Sequence, residues 1–258
     1  MAVPELFFVL VFIFGTMIGS FLNALIYRLP RGINIAIPRS SCPHCNHQIK
    51  WFENIPLLSY LFLAGKCSNC KTPISLRYPL VELYMGIVAI FLAPHDLEPQ
   101  SLYSFFFFFS IMSVFVVHFL VDMEHQILPD SLNAYLAIIF FLSVILSKPY
   151  YYFLTGAAIG VLFPLGVSYL FYKLKGQVGL GGGDIKLWGA LGIYLGPMGI
   201  VQNIFLSCFL GAVIGLILIM LKITKREDPI PFGPFIIIIA TLQIFFHSLY
   251  QQLMNYLI

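Results

Sequence analysis

Long apolar segments are the feature that most constrains the fold of this chain. A bilayer span needs about 20 predominantly apolar residues, and eight stretches approach or reach that length. They are residues 5–26, 79–93, 102–121, 131–147, 151–172, 185–198, 200–221 and 234–256. With 60% hydrophobic and 10% charged residues, the composition is not that of a soluble globular domain. The sequence predicts an all-α polytopic membrane protein with about eight transmembrane helices.

The positions of the basic residues predict the orientation of these helices. In the eight-span arrangement, Lys148 is the exception among 14 Lys and Arg residues, and all the others fall on one side of the membrane. Basic loops remain cytoplasmic, so this side is predicted to face the cytoplasm, with both termini outside. The net charge of +3 then reflects topology and indicates no nucleic-acid partner. An odd number of spans would scatter the same residues over both faces.

The first apolar segment is expected to be a retained helix and not a cleavable signal peptide. Glu5 lies at its start where a signal peptide has basic residues, and Arg28 and Arg31 follow it. Gly15 and Gly19 lie four residues apart on one helix face, which favours close packing against another helix. A polar site around Asn23 is the alternative interpretation of this face.

Two CxxC pairs lie in the longest segment between predicted spans. They are 21 residues apart and comprise Cys42, Cys45, Cys67 and Cys70. Each pair can present two thiolates to one tetrahedral zinc ion, and two pairs complete a Cys₄ site. A loop this short buries little core, so the metal would supply much of its folding energy. The sequence predicts a structural zinc site.

Other uses of the cysteines are weaker alternatives. His44 or His47 could replace one thiolate ligand, and the CxxC pairs could instead be redox dithiols or unliganded thiols. Cys208 lies within a predicted span and is expected to be a small buried residue. Together these features predict three parts: residues 1–27 as the first transmembrane helix, 28–78 as a cytoplasmic zinc-binding domain, and 79–258 as a seven-helix membrane domain.

Two aspartates are the strongest candidates for catalytic residues. Asp184 follows the glycine run of residues 179–183, and Asp122 closes the apolar run of residues 111–121. Acidic residues at the edge of a span are costly and therefore indicate function. Asp184 could alternatively cap the helix that it precedes, and Asp130 has the same interpretation for helix 131–147. His118, one turn before Asp122, could hydrogen-bond to it or be a satisfied buried histidine.

The two aspartates are predicted to meet at the cytoplasmic surface and act on water. Two carboxyl groups within a few ångströms cannot both ionise, so the pair would share one proton. The ionised member could take a proton from water while the protonated member polarises a scissile carbonyl. The proline-rich loop of residues 228–235 is stiff and non-helical, and it could form a wall for an extended peptide.

The chain resembles the type IV prepilin peptidases, also called leader peptidase/N-methyltransferases. The resemblance covers nearly the whole chain. In the first half it rests on GSFLN at 19–23, YRLP at 27–30, the four cysteines, ENIPLLSY at 53–60 and RYPLVE at 77–82. In the second half it rests on Asp122 with LPD at 128–130, GGGDIK at 181–186 and PFGPF at 231–235.

The resemblance implies a bifunctional inner-membrane enzyme. Asp122 and Asp184 would be the catalytic pair of an aspartic peptidase that removes the leader of prepilins or pseudopilins on the cytoplasmic side. Such enzymes then methylate the new N-terminus with S-adenosylmethionine. No glycine-rich nucleotide-binding turn is present, and Glu53 and Glu82 are candidates for the methyl-transfer site only by their position.

Two other function classes use the same residue types. A proton-coupled transporter could carry protons on intramembrane aspartates, but it would more often place them near the middle of the bilayer, between internal repeats. A membrane thiol oxidoreductase would need its CxxC pairs on the outer face, whereas the charge bias puts them inside. Accessibility of the cysteines from outside would distinguish these readings.

Overall fold

The computed structural model describes residues 4–176, 179–225 and 229–257. Arg226 and Asp228, which enter the predictions above, lie outside this part. Within it the chain forms nine α-helices and no β-strand, which confirms the predicted all-α class. They are α1 (Glu5–Arg28), α2 (Leu58–Phe62), α3 (Arg77–Leu92), α4 (Pro99–His125), α5 (Asp130–Val144), α6 (Tyr150–Lys175), α7 (Gly182–Met220), α8 (Gly233–Phe245) and α9 (His247–Leu257).

Four of the described helices, α1, α4, α6 and α7, are long and apolar enough to cross a membrane. The pair α8 and α9 is bent by 106° at its junction and would bring the number to five if it counts as one span. Helices α3 and α5 are short, with 16 and 15 residues. The chain is therefore a multi-helix membrane protein, while the count of eight spans stays a prediction.

Helix α7 contains the break that the sequence places between two of its predicted spans. It runs over 39 residues, and a continuous helix of that length would extend about 58 Å, nearly twice the hydrocarbon core of a bilayer. Gly196 interrupts it with φ 69° and ψ −176° and is followed by Pro197. Only glycine adopts this backbone conformation without strain. The break divides α7 near the boundary between residues 185–198 and 200–221.

Glycines let α6 and α7 pack at backbone distance. A Cβ atom placed on Gly156 would overlap the carbonyl oxygen of Gly192, and one on Gly160 would overlap the carbonyl oxygen of Trp188. Small residues at such a seam maximise van der Waals contact between helices in a membrane. This seam matters for function because α7 carries Asp184 at its N-terminal end.

We expect Gly156→Ala to destabilise the protein, whereas Gly166→Ala on the same helix should not. The methyl group at position 156 meets backbone that cannot move aside, so the free energy of unfolding should fall by about 1–3 kcal/mol. A Cβ atom at Gly166 meets nothing within 4 Å. Unfolding of both variants by a denaturing detergent in mixed micelles measures the difference. Equal stability of the two variants would contradict the close approach of α6 and α7.

The chain forms two compact units, the first ending at Val117 and the second beginning at His118. In the first unit α1 packs on α3: a Cβ atom on Gly15 would lie 2.5 Å from the Met85 carbonyl oxygen, and one on Gly19 would lie 2.7 Å from the Glu82 Cα atom. The predicted packing face is thereby confirmed.

Asn23 in α1 donates from Nδ2 to the Tyr78 carbonyl oxygen in α3 at 3.0 Å. Successive contact residues of α1 (Gly15, Gly19, Asn23) meet residues of α3 with decreasing residue numbers (Met85, Glu82, Tyr78), so the two helices are antiparallel.

The prediction that Cys208 is buried is wrong, because this cysteine is exposed. It lies on the second half of α7 among other exposed apolar residues, including Phe205 and Phe209. An apolar helix face in a membrane protein can face lipid at no cost, so an apolar position in a span does not imply burial in protein.

Candidate active site and metal centre

Asp122 is a buried carboxylate in the last turn of α4. Its side chain is held by one specific contact: the backbone N–H of Gly233 donates to Oδ2 at 2.9 Å. A Cβ atom on Gly233 would lie 2.9 Å from that same oxygen. Glycine at this position lets the backbone at the start of α8 approach the carboxylate closely enough to bond it. The residue is only 5% exposed.

Asp184 lies in the first turn of α7. Gly181 is the N-cap residue, so the alternative prediction that Asp184 itself caps the helix is wrong. The Asp184 carboxylate instead accepts a hydrogen bond from the backbone N–H of Gly181. A negative side chain in the first turn is also favoured by the helix dipole. The residue is 8% exposed.

The structure brings Asp122 and Asp184 to the same cavity, and the charge of Asp122 acts electrostatically on Asp184. The cavity has a volume of about 400 Å³. The end of α4, the turn that follows it and the glycine run line this space: Asp122, Gln126, Ile127, Leu128, Pro129, Asp130, Gly181, Gly182, Gly183 and Asp184. Both candidate catalytic residues predicted from the sequence are therefore present in one place.

Contacts between the glycine run and the turn before α5 shape this cavity. A Cβ atom on Gly183 would lie 2.9 Å from the Leu128 Cβ atom, so the two segments touch at backbone distance. The Asn133 side chain donates from Nδ2 to the Gly183 carbonyl oxygen at 3.5 Å. These contacts fix the start of α7 against the start of α5 and thereby position Asp184.

Asp130 does not have its predicted capping role. Pro129 is the N-cap residue of α5, and Asp130 is the first helical residue without a cap hydrogen bond. The proline has a fixed φ that suits the flanking position. Both carboxylate oxygens of Asp130 instead accept from Lys186 Nζ, at 2.8 and 2.7 Å. This ion pair is exposed and joins the first turns of α5 and α7 at the cavity rim.

His118 lies one turn before Asp122 on α4 and is fully buried. Neither ring nitrogen has a hydrogen-bond partner of normal geometry among the described residues, so the bond to Asp122 considered above is not formed. Asn133 is the polar neighbour of its ring.

The proline-rich loop packs against the end of α4 and against α7. Gln126, the residue after α4, donates from Nε2 to the Pro229 carbonyl oxygen at 2.9 Å. The Phe232 ring packs edge-on against Trp188, with ring centroids 5.6 Å apart. The sequence predicts a wall for a peptide at this loop but not the hydrogen bond from the Gly233 N–H to Asp122. The available signal was a glycine directly before a proline in a proline-rich loop.

Two buried carboxyl groups of this kind are suited to activating water. One can accept a proton while the other donates a hydrogen bond, and no covalent intermediate is needed. The Gly233 N–H orients Asp122, and a cavity of about 400 Å³ lies beside the pair.

The four predicted zinc ligands form one cluster in the first unit. Their sulfur atoms all lie within 4.8 Å of one another, with Cys42 to Cys70 at 3.8 Å and Cys45 to Cys67 at 4.0 Å. A tetrahedral zinc ion with Zn–S bonds of about 2.3 Å separates its sulfur ligands by about 3.8 Å. All four cysteines are free thiols. The donor set and its spacing fit a Cys₄ zinc site.

Each CxxC pair lies in the same kind of backbone knuckle. The Cys42 N–H donates to the His47 carbonyl oxygen at 2.9 Å, and the Cys67 N–H donates to the Thr72 carbonyl oxygen at 2.9 Å. Asn46 and Lys71, each four residues after the first cysteine, have positive φ values of 56° and 59°. Two equivalent turns thus present the thiols from opposite sides of the cluster.

Hydrogen bonds favour the thiolate form that zinc requires at Cys42 and Cys70. At Cys67 the backbone hydrogen bonds are outweighed by burial and by the Cys70 and Cys42 side chains, which raise its pKa. The Thr72 hydroxyl and backbone lower the pKa of Cys70 to about 6. Backbone N–H groups, first that of Cys45, lower the pKa of Cys42. His47 lies 3.5 Å from the Glu53 carboxylate, and the cluster is complete without a histidine.

Comparisons with known proteins find matches over most of the chain. Residues 13–95 match the bacterial peptidase A24 N-terminal domain, and residues 107–216 match the type IV leader peptidase family. The chain is 38% identical to the prepilin leader peptidase/N-methyltransferase of Aeromonas hydrophila over 91% of this chain and 89% of that protein. The proteins of that name from Stutzerimonas stutzeri and Pseudomonas aeruginosa are 35% and 34% identical, with the same coverage. No solved structure matches the chain.

Proposed function

The chain belongs to the type IV leader peptidase family, and on that premise we propose that it removes the leader peptide of prepilins or pseudopilins with Asp122 and Asp184 as its catalytic pair. The observation that carries the proposal is the convergence of these two buried carboxyl groups on one cavity. The pair lies at the ends of α4 and α7, as expected for an enzyme that takes its substrate at the membrane surface.

In the proposed reaction the two carboxyl groups share one proton. The ionised group takes a proton from a water molecule as that water attacks the scissile carbonyl carbon. The protonated group donates a hydrogen bond to the carbonyl oxygen. The group that took the proton from water then gives it to the leaving nitrogen, and the C–N bond breaks. The Gly233 N–H donates a hydrogen bond to Oδ2 of Asp122 and so fixes which oxygen of this carboxyl group faces the water.

The glycine run gives the substrate backbone room beside Asp184. Gly182 has no neighbour within 4 Å of a Cβ position, so this side of the cavity is open. A peptide in extended form needs close approach to the carboxyl pair, and the absence of side chains at residues 181–183 permits it. We assign the leader peptide of a prepilin as the ligand of this cavity.

Methyl transfer from S-adenosylmethionine is proposed on the names of the relatives. The chemistry of that cofactor is transfer of a methyl group to an amine. Glu53 and Glu82 stay candidates for holding it by their position only, and each already accepts one backbone hydrogen bond. Glu53 accepts from the Lys50 N–H at 2.9 Å, and Glu82 accepts from the Leu57 N–H at 2.8 Å. We assign no residue to the cofactor.

Two further assignments complete the proposal. The four-cysteine cluster binds a structural zinc ion that folds residues 28–78. The enzyme lies in the bacterial inner membrane with its catalytic cavity facing the cytoplasm, which rests on the distribution of basic residues. The cluster geometry suits a metal centre better than a redox pair, since sulfur atoms of different CxxC pairs lie as close as 3.8 and 4.0 Å and all four lie within 4.8 Å of one another.

The experiment that tests the function combines both activities. The purified protein in lipid is incubated with a prepilin and S-adenosylmethionine, and the mass of the new N-terminus is measured. Cleavage alone supports the peptidase, and a further gain of one methyl group supports the transferase. An intact prepilin after long incubation with folded enzyme would overturn the proposal.

We expect Gly233→Ala to lower kcat/KM for cleavage by about 10²-fold, because the added methyl group displaces the Asp122 carboxylate by a fraction of an ångström or more. Gly166→Ala, which meets no neighbour, serves as the matched control and should cleave at the rate of the original protein. A folded Gly233→Ala variant with full activity would show that this backbone contact does not position the carboxylate.

A further inference from the structure

We propose that residues 51–62 form a lipid-binding surface that lies in the membrane interface and recognises anionic phospholipids. This interfacial segment consists of a 3₁₀ turn, Trp51–Asn54, followed by α2, Leu58–Phe62. It belongs to the loop that carries the cysteine cluster, and the inference does not depend on the proposed catalytic activity.

The depth of the segment follows from one hydrogen bond to a buried residue of α3, Glu82. The Leu57 N–H donates to Glu82 Oε2 at 2.8 Å. Glu82 is five residues inside α3, which begins at Arg77, so it lies about 7 Å below the end of that helix. The chain therefore returns to the side of α3 at Leu57, the middle of the segment, and this residue does not lie beyond the helix end.

Both ends of the loop start from the same face of the membrane. Helices α1 and α3 are antiparallel neighbours, and Asn23 in α1 bonds to Tyr78 at the start of α3. Helix α1 is a candidate span, so the C-terminal end of α1 and the N-terminal end of α3 reach one surface together. A segment at the depth of Glu82 then meets the boundary between headgroups and acyl chains.

The segment exposes side chains that are costly to expose to water. Trp51 is 75% exposed, Leu61 71% and Phe62 84%. Phe52 and Leu58 are also exposed. Apolar surface of this extent on a polar loop marks an interaction site, and a mixture of tryptophan, phenylalanine and leucine is typical of segments that lie in a bilayer interface.

The charges of the loop select the kind of lipid. Residues 28–78 contain a single acidic residue, Glu53, which contacts His47. Basic residues are distributed through the same loop: Arg31, Arg39, Lys50, Lys66, Lys71 and Arg77. Arg28 is buried and donates to backbone carbonyl oxygens, so it does not contribute to this surface. The Lys50 ammonium group lies 5.7 Å from the centre of the Phe52 ring, which places a cation beside the apolar surface. Such a surface fits anionic headgroups.

Lipid is the occupant that these observations favour over a protein. The surface is tethered to two membrane helices within a short stretch of chain, so lipid is always adjacent to it. Charge complementarity with an anionic leaflet would add about 1 kcal/mol for each basic residue close to the surface. Coverage by another protein remains an outcome that the experiment can reveal.

The chain has two tryptophans, which makes the test direct. Trp188 is only 1% exposed and packs on Phe232, whereas Trp51 is in the proposed surface. Full-length protein is placed in phosphatidylglycerol nanodiscs whose acyl chains carry bromine near the headgroup or deep in the core. Fluorescence of the Trp188→Phe variant then reports Trp51. The signal of the original protein minus that of Trp51→Phe gives the same quantity without altering Trp188.

We expect shallow bromine to quench Trp51 at least twofold more than deep bromine, and aqueous acrylamide to quench it weakly. Replacing phosphatidylglycerol by neutral phosphatidylcholine should reduce the shallow quenching. Strong acrylamide quenching without bromine quenching would place the segment in water and overturn the proposal. Protection from both quenchers would show that protein covers it, which also overturns the proposal. Equal shallow quenching in both lipids would overturn the preference for anionic headgroups.

Discussion

Asp122→Asn and Asp184→Asn are each expected to lower the rate of leader cleavage by about 10³-fold or more while leaving the protein folded and inserted. An amide has nearly the shape of a carboxyl group, so the cavity and the hydrogen bond from Gly233 or Gly181 can persist. What the amide cannot do is accept a proton from water. Cleavage is measured by the mass of the product with purified variants in lipid.

Glu124→Gln is the matched control for this pair. Glu124 lies two residues from Asp122, its side chain is 38% exposed, and it does not line the cavity. The same change of charge there should leave cleavage within about twofold of the original rate. The double variant Asp122→Asn with Asp184→Asn should be no slower than the worse single variant, because residues that act as one unit are not additive. Full cleavage by either single variant would remove the carboxyl pair from the mechanism.

The pairing of the two aspartates could be predicted because it follows from topology. Each ends or starts an apolar segment, and in the predicted eight-span arrangement the basic residues place both segment ends on one face. The cysteine cluster could be predicted equally well from the sequence, since two CxxC pairs leave few alternatives to one tetrahedral site. In both cases the chemistry requires a few residues at fixed places, and the sequence shows them directly.

The contacts that orient the pair could not be predicted in the same way. The hydrogen bond from Gly233 to Asp122 joins residues 111 positions apart, and a glycine in a proline-rich loop has many possible uses. Asp130 had a good local explanation as a helix cap, yet it pairs with Lys186 across 56 positions. A local sequence pattern predicts a hydrogen-bond partner nearby in the chain. Here helix packing instead brings together residues that are far apart in the sequence.

Helix count shows a different limit of hydropathy. The pattern finds apolar residues but not where a helix bends or stops, so α7 contains two predicted spans separated only by the break at Gly196. Cys208 shows the same limit for burial. In a membrane an apolar residue is stable against lipid or protein, and the sequence does not distinguish the two.

Replacing Cys42 and Cys67 together by serine is expected to reduce bound zinc from about one ion per chain to none. The change removes one thiolate from each knuckle, and the two that remain cannot complete a tetrahedral site. Since the loop has little apolar core, loss of the metal removes most of its folding energy, and residues 28–78 should become sensitive to proteolysis at Lys50 and Lys66. Metal content of the purified protein and the sites of limited trypsin cleavage measure the two effects.

Cys208→Ser is the control, because it makes the same chemical change outside the cluster, on an exposed face of α7. It should retain zinc and resist trypsin in the loop like the original protein. The single variants test the geometry further: Cys42 and Cys70 lie 3.8 Å apart, and loss of either leaves three thiolates, which should bind zinc more weakly without abolishing binding. A fully active, protease-resistant preparation that contains no metal would contradict a structural zinc ion, and the four thiols would then need a different explanation.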